Sequence, residues 1–291
     1  MTDGQAERTQ RSRLTALDIR GRKGRAKLTM LSLYDYPFAR LAEDAAIDII
    51  LVGDSLGMVV QGHDSTVPVT LDDVIYHSRA VRRGAPRTHV VADLPFLTYH
   101  LDDSSTVASA GRLLQEGGAD SVKLEGGVEV AGRVAALVRA GIPVMGHIGL
   151  TPQSAGALGG FKVQGRDETS ARKILADAEA IAAAGVYAMV VEVVPAELGA
   201  MITEQVPVPT IGIGAGPDCD GQVLVAHDML GLQERIIGRF AKVYAETGDQ
   251  IRQAFAAYAS EVQAGTFPDA EHSYGMSSEV LARLQAPDDN A

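Results

Sequence analysis

The chain has 291 residues, 46% of them hydrophobic and 22% charged, which suffices for one large α/β barrel or two average domains. Its formal net charge of −11 argues against nucleic acid or an anionic membrane as partner, because both are bound by basic surface that displaces counterions; small molecules are the expected partners. The one cysteine, Cys219, excludes an internal disulfide framework and a thiolate zinc cluster and fits a cytoplasmic protein. No run of 18 apolar residues occurs, so no membrane-spanning helix is expected.

Residues 1–27 are Arg-rich, lack the apolar centre of a secretory signal, and carry Asp3, Glu7 and Asp18, which count against a transit peptide. They read as a flexible basic arm with a short helix. Eight short apolar runs follow: LTMLSL, DIILVG, HVVADLP, DSVKLEG, IPVMGHIG, YAMVVEVV, VPTIGIGAG and QVLVAHDML. Between them, segments such as LDDVIYHSRAVRR and TSARKILADAEAIAAAG place apolar residues near i, i+3, i+4 and i+7, the spacing of amphipathic helices. Gly117, Gly141 and Gly185 stand where those helices should stop. Strands apolar at consecutive positions are buried on both faces, as in a parallel sheet wrapped by helices. Eight βα units without a dinucleotide fingerprint predict a closed (β/α)₈ TIM barrel. A further helix is expected over Asp249–Ala264, then the irregular FPDAEHSYGM and a disordered APDDNA. The expected organisation is an arm at 1–27, a single catalytic barrel with its C-terminal helix at 28–275, and a tail at 276–291.

Active sites of such barrels lie at the C-terminal strand ends. There the sequence puts Asp54, Asp93, Lys123, Glu125, His147 and Glu192. Each has an ordinary explanation: a strand-end Asp caps the next helix, a lone His is packed and hydrogen-bonded, and Lys123 with Glu125, two apart on one strand, forms an ion pair. Convergence of all six on one rim weakens these separate accounts. Glu192 sits among apolar neighbours in VVEVV, where an unpaired charge costs several kcal/mol. Asp54 and Asp93 facing each other would repel unless a cation lay between them. Oxygen donors with at most one nearby imidazole suit Mg²⁺ better than zinc. Mg²⁺ keeps open positions for a chelating 2-oxo acid, whose carbonyl it would polarise toward an enolate. Glu192, its ionised form disfavoured by burial, would then remove the proton beside that carbonyl. The Gly-rich GIGAGPDCDGQ (212–222) is a weak phosphate signal, and GALGGFKVQGRDE (156–168) has the composition of a lid or an ordinary surface loop.

The stretches VGDSLGMVVQGHDSTVPVTLDDVIYHSRAV, VADLPF, VKLEGG, VMGHIGLTPQS and GIGAGPDCDGQVLVAHDMLG, in this order, resemble the ketopantoate hydroxymethyltransferase family from Leu28 to Tyr274. The resemblance implies a magnesium-dependent transferase in a (β/α)₈ barrel, a homo-oligomer and commonly a decamer. Such an enzyme carries a one-carbon unit from 5,10-methylenetetrahydrofolate to 3-methyl-2-oxobutanoate, giving 2-dehydropantoate for pantothenate and coenzyme A. It further implies Asp54 and Asp93 as magnesium ligands that also meet substrate, with Glu125 at the metal. Ser55 would contact the oxo acid and Lys123 its carboxylate, His147 would stand near the reacting centre, and Glu192 would accept the proton. The family's TAYD reads SLYD here (Ser32–Asp35), with Tyr and Asp in place. The alternative within enzymes is another Mg-dependent barrel acting on phosphoenolpyruvate or a 2-oxo acid, of lyase or mutase type; these commonly use a reactive lid cysteine, which the 156–168 stretch lacks. A catalytically silent barrel is disfavoured by retention of every ionisable strand-end group.

Overall fold

The computed structural model describes residues 12–233 and 238–286, which divide after Tyr244 into two compact units. In the first, eight parallel strands close into a barrel in chain order. They are β1 (Leu28–Ser32), β2 (Ile49–Val52), β3 (His89–Asp93), β4 (Ser121–Lys123), β5 (Val144–Gly149), β6 (Ala188–Glu192), β7 (Thr210–Ile213) and β8 (Gly221–Val225). Each expected apolar run contains one of them. Helices of the first unit are α1 (Ala16–Arg20), α2 (Tyr36–Asp44), α3 (Leu56–Val59), α4 (Leu71–Gly84), α5 (Asp103–Gln115), α6 (Ala131–Arg139), α7 (Glu168–Ala184), α8 (Ala196–Gln205) and α9 (Ala226–Met229).

The continuous apolar runs have a simple cause: side chains alternate between two buried layers. On β2, Ile49 and Leu51 enter the barrel interior with Met30, Val91, Met145, Val190 and Ile211. Ile50 and Val52 enter the outer layer under the helices, with Val74, Val90, Leu113, Val134 and Ile181. Helix starts are set by side-chain caps: Thr70 with Asp73, Asp102 with Ser105, and Asp167 with Ser170 form reciprocal capping boxes. Among the expected stops, Gly185 caps α7 in the left-handed region at φ +105°. After α5 that conformation falls on Gly118 (φ +73°) instead; Gly117 is needed because a Cβ there would lie 2.5 Å from the Leu113 carbonyl oxygen.

Residues 12–27 of the expected arm lie against the barrel. Ile19, on α1, is fully buried within the interior cluster. His89 Nδ1 donates to the Leu14 carbonyl at 2.9 Å, and its Nε2 meets Ser121 Oγ and Tyr187 OH at 3.0 and 3.2 Å. Lys23 pairs with Asp220 at 2.9 Å, and Arg13 with Asp120 at 3.1 Å. The basic residues of this segment thus neutralise acids at the N-terminal ends of strands, and the arm reading gives way to a docked floor. Residues 1–11 lie outside the described residues.

The Gly-rich 212–222 stretch joins β7 to β8 without a helix. Its Asp220 is occupied with the amides of Thr210 and Gly24. The second unit holds α10 (Thr247–Ala264), two residues longer than expected, and α11 (Ser278–Gln285), which the tail reading did not foresee. No residue of either helix is buried. Of the APDDNA expected to be disordered, residues 287–291 lie outside the described residues.

Replacing Ile19 with Ala is expected to cost about 2–5 kcal/mol, the usual range for emptying a buried Ile site. Leu17→Ala, at a position 76% exposed, should stay within about 0.5 kcal/mol. Denaturant unfolding of the two variants checks this; equal effects would mean that α1 does not seal the floor.

Candidate active site

The strand register sets the site. Inward-facing positions at the C-terminal ends of β3 and β4 are Asp93 and Lys123, which are register partners. On β5 and β6, His147 and Glu192 occupy the next inward places, with Gly149 opposite Glu192. Gly149 (φ +91°) permits that approach, since a Cβ would stand 2.3 Å from the Glu192 carbonyl oxygen. Asp54, Ser55, Asp93, Lys123, Glu125, His147 and Glu192 all line one cavity of about 220 Å³. Every side chain singled out from sequence is brought to it.

Their pairing differs from the sequence reading. Lys123 Nζ lies 2.8 Å from Asp93 Oδ1 and 3.2 Å from His147 Nδ1, so its partner is across the sheet rather than Glu125. Glu125 faces His147 instead, at 3.4 Å. Glu192, which would be costly unpaired among its apolar neighbours, has His147 Nε2 at 3.1 Å and a side chain 15% exposed toward the cavity. Neither strand-end aspartate caps a helix: Asp93 Oδ2 accepts the Asp54 N–H at 3.0 Å, and Asp54 Oδ2 accepts from Gln153 Nε2 at 2.8 Å.

Burial, and then the charges of Asp93 and Glu125, hold the Asp54 carboxyl well above the usual carboxylate range. Burial also raises Asp93, against the opposing pull of Lys123. Glu125 ends below its ordinary value because His147, Lys123 and the Gln153 amide outweigh its desolvation. Burial and Lys123 push the His147 imidazole down, but the facing carboxylates of Glu125 and Glu192 prevail and raise it to about 9. At neutral pH the rim therefore sets four carboxyl groups against two cations. The surplus falls on Asp54 and Asp93, whose ionised forms call for a further positive charge. Among the described residues no three carboxylate, imidazole or thiol side chains are arranged to hold a metal ion by themselves. The donor set fits an open site for Mg²⁺, which is held by one or two carboxylates with water and substrate oxygens completing its shell.

Several lining or supporting residues escaped sequence reasoning. Gln153, on the turn Pro152–Ser154, joins Asp54 to Glu125 by donating its backbone N–H to Glu125 Oε2 at 3.0 Å. Tyr99 OH in turn donates to Gln153 Oε1 at 2.6 Å. Tyr34 OH bridges Ser32 and Ser55 at 3.1 and 2.7 Å. The TPQS and SLYD motifs contain Gln153 and Tyr34, while Tyr99 lies outside both; amides and hydroxyls give no charge signal of their own. From the 156–168 stretch Phe161 lines the cavity, and Gln164 N–H is tied to the Val193 carbonyl at 2.9 Å. Its last residue, Glu168, begins α7.

Comparison with known proteins agrees with this geometry. The family model described as ketopantoate hydroxymethyltransferase matches residues 13–270. The 3-methyl-2-oxobutanoate hydroxymethyltransferase of Moorella thermoacetica is 58% identical over 266 residues, 91% of this chain and 99% of that one. The protein of the same name from Thermus thermophilus is 56% identical over 262 residues, 90% and 100% of the two chains. Among solved structures, phosphoenolpyruvate phosphomutase from Streptomyces platensis matches with TM-score 0.58 at 17% identity, covering 94% of this chain and 95% of that one. A phosphonopyruvate hydrolase complexed with oxalate and Mg²⁺ matches with TM-score 0.55 at 16% identity, over 98% and 95%. The structural likenesses establish the barrel fold, and the sequence match along nearly the whole chain places it in the ketopantoate hydroxymethyltransferase family.

Proposed function

We propose that the chain transfers a hydroxymethyl group from 5,10-methylenetetrahydrofolate to 3-methyl-2-oxobutanoate, giving 2-dehydropantoate on the route to pantothenate and coenzyme A. The observation that carries this reading is the rim itself, a surplus of buried carboxylates beside one lysine and one imidazole, in a chain whose relatives bear the hydroxymethyltransferase name. Asp54 and Asp93 would hold Mg²⁺, with Glu125 beside them. Bound there, the ion supplies Lewis acidity that withdraws electrons from a 2-oxo group. The structural neighbour complexed with oxalate, a two-oxygen chelator, and Mg²⁺ supports such a site.

The chain's own groups supply the rest. Lys123 attracts the substrate carboxylate, and Ser55, held by Tyr34, offers a hydroxyl to the oxo acid. Leu51, Val190, Ile213 and Val223 form an apolar wall suited to the isopropyl branch. Glu192 removes the C3 proton, and C3 bonds to the methylene carbon of the folate as one of its C–N bonds breaks; water then displaces the other nitrogen, so the hydroxyl oxygen comes from water and tetrahydrofolate leaves with the proton. His147 holds Glu192 through Oε2; the other oxygen makes no hydrogen bond to the described residues and is left for the proton. Enzymes of the lyase and mutase alternative commonly use a reactive thiol at the site. Cys219 is fully buried, its thiol is pushed up by burial, and it does not line the cavity.

The family resemblance further implies a cytoplasmic homo-oligomer, a decamer. Ile251, Phe255, Tyr258 and Val262 give α10 an exposed apolar face for such assembly. No helix among the described residues is long and apolar enough to cross a membrane.

Glu192→Gln should slow Mg²⁺-dependent deuterium exchange at C3 of the oxo acid, without folate, by at least about a hundredfold, while oxo-acid affinity changes only a few-fold. Undiminished exchange would remove Glu192 from the role of base. Asp54→Asn should abolish the rise in Tm on adding Mg²⁺ without lowering the metal-free Tm, since it deletes a buried, under-compensated charge. A wild-type metal response in that variant would exclude Asp54 as ligand. Because His147 is raised from 6.5 to about 9, its contribution is complete below pH 6.5 and lost as pH rises through about 9. It should amount to roughly 3 kcal/mol. Unfolding free energies from pH 6 to 10 should fall more steeply for wild type than for His147→Gln, and parallel curves would show an uncharged imidazole.

A further inference from the structure

The oxo acid leaves two polar groups of the cavity without a partner. Asp228, on the short helix that follows β8, lines the cavity with its half-buried carboxylate. Among the described residues its side chain makes no hydrogen bond or ion pair, and burial holds its carboxyl above the ordinary value. Thr66, only 2% exposed, also lines the cavity, and its Oγ1 is buried without a hydrogen-bond partner. Lys123, Asp93 and Glu125 project from the β3–β4 side, whereas Asp228 belongs to the β8 side. The walls that accompany it are the flat or flexible apolar groups Met58, Val59, Phe161 and Phe240.

A carboxylate only accepts hydrogen bonds. The oxo acid, with a carboxylate and a ketone, offers only acceptors, and would be repelled by Asp228. A second ligand with adjacent N–H donors on a ring that can lie against apolar side chains would satisfy it. The pyrimidinone edge of a reduced pterin has this form, with its ring N3–H and exocyclic 2-amino group side by side, matched to the two oxygens of one carboxylate. Resting on the proposed folate-dependent transfer, we infer that Asp228 recognises the pterin of the one-carbon donor, accepting from N3–H and the 2-amino group. Thr66 supplies a further hydrogen bond, and Met58, Val59 and Phe240 cover the ring. The assignment puts the donor on the β8 side and leaves the β2–β6 side to the oxo acid, so the two substrates meet across the cavity.

The test uses full-length, Mg²⁺-loaded protein and calorimetric titration with tetrahydrofolate, an analogue in which the 2-amino group is replaced by methyl, and 3-methyl-2-oxobutanoate. Asp228→Asn should raise the Kd for tetrahydrofolate about tenfold to a hundredfold, as loss of a charge-assisted pair predicts, while the Kd for the oxo acid changes less than twofold. Wild type should bind the methyl analogue at least tenfold more weakly than tetrahydrofolate, and the variant should discriminate less than threefold. Unchanged tetrahydrofolate binding in the variant, or equal weakening of both substrates, overturns the assignment. So does full discrimination against the analogue in Asp228→Asn. Wild-type protein that binds the oxo acid and no tetrahydrofolate overturns the folate reading beneath it as well. Thr66→Val, a near-isosteric change, should give a smaller loss for tetrahydrofolate alone; a loss confined to the oxo acid counts against the division of the cavity.

Discussion

The contact between Lys123 and Asp93 is the one on which the catalytic rim depends. Both side chains are almost wholly buried, 2.8 Å apart, and the strand register makes them neighbours. Asp93 uses its other oxygen to hold the Asp54 amide, and Lys123 stands against His147, which meets Glu125 and Glu192. One lysine thus touches each branch of the network. Removing it would strand buried carboxylates, a loss of about 3–5 kcal/mol for a broken buried pair, whereas a surface ion pair such as Arg172 with Glu168 contributes about 1 kcal/mol or less.

The barrel interior explains why such a charged layer is tolerated. Below the rim lies an apolar layer that includes Met30, Leu51, Val91, Met145, Val190 and Ile211. At the opposite end His89, Ser121 and Tyr187 form a second polar layer, hydrogen-bonded to one another and to the Leu14 carbonyl. The apolar layer thus separates the charged rim from the hydrogen-bonded polar layer at the barrel's other end. In that low-dielectric setting, charge contacts at the rim are stronger than in water, and unpaired ones are more costly. The same physics that raises the Asp54 carboxyl creates its demand for a cation.

The two substrates proposed for the cavity differ in hydrogen-bonding character, and the lining differs in the same way. Cation and metal-binding groups stand on the β2–β6 side, and Asp228, an acceptor without a partner among the described residues, stands on the β8 side. An acceptor-only oxo acid and a donor-bearing pterin would sort themselves between these sides without a separate recognition domain.

The fold and the chemical inventory of the site were legible in the sequence, because parallel strands buried on both faces read as unbroken apolar runs. Any ionisable residue that ends such a run, as Asp54, Asp93, Lys123, His147 and Glu192 do, stands out against it. What closing the barrel decided was pairing. Lys123 ends β4 and Glu125 follows two residues on, yet each finds its partner on a neighbouring strand, since lateral register places Asp93 and His147 closer. Gln153 and Tyr34 gained their roles through contacts 99 and 21 residues away in sequence, and neutral side chains leave no charge pattern to announce that. The arm became a floor for a similar reason: Ile19 and the Leu14 carbonyl are ordinary in sequence, and only a closed ring of strands offers them an open end to fill. Local sequence determined which residues turn inward and where each strand stops; tertiary structure alone decided who stands opposite whom, because that depends on strands brought together by closure rather than by succession.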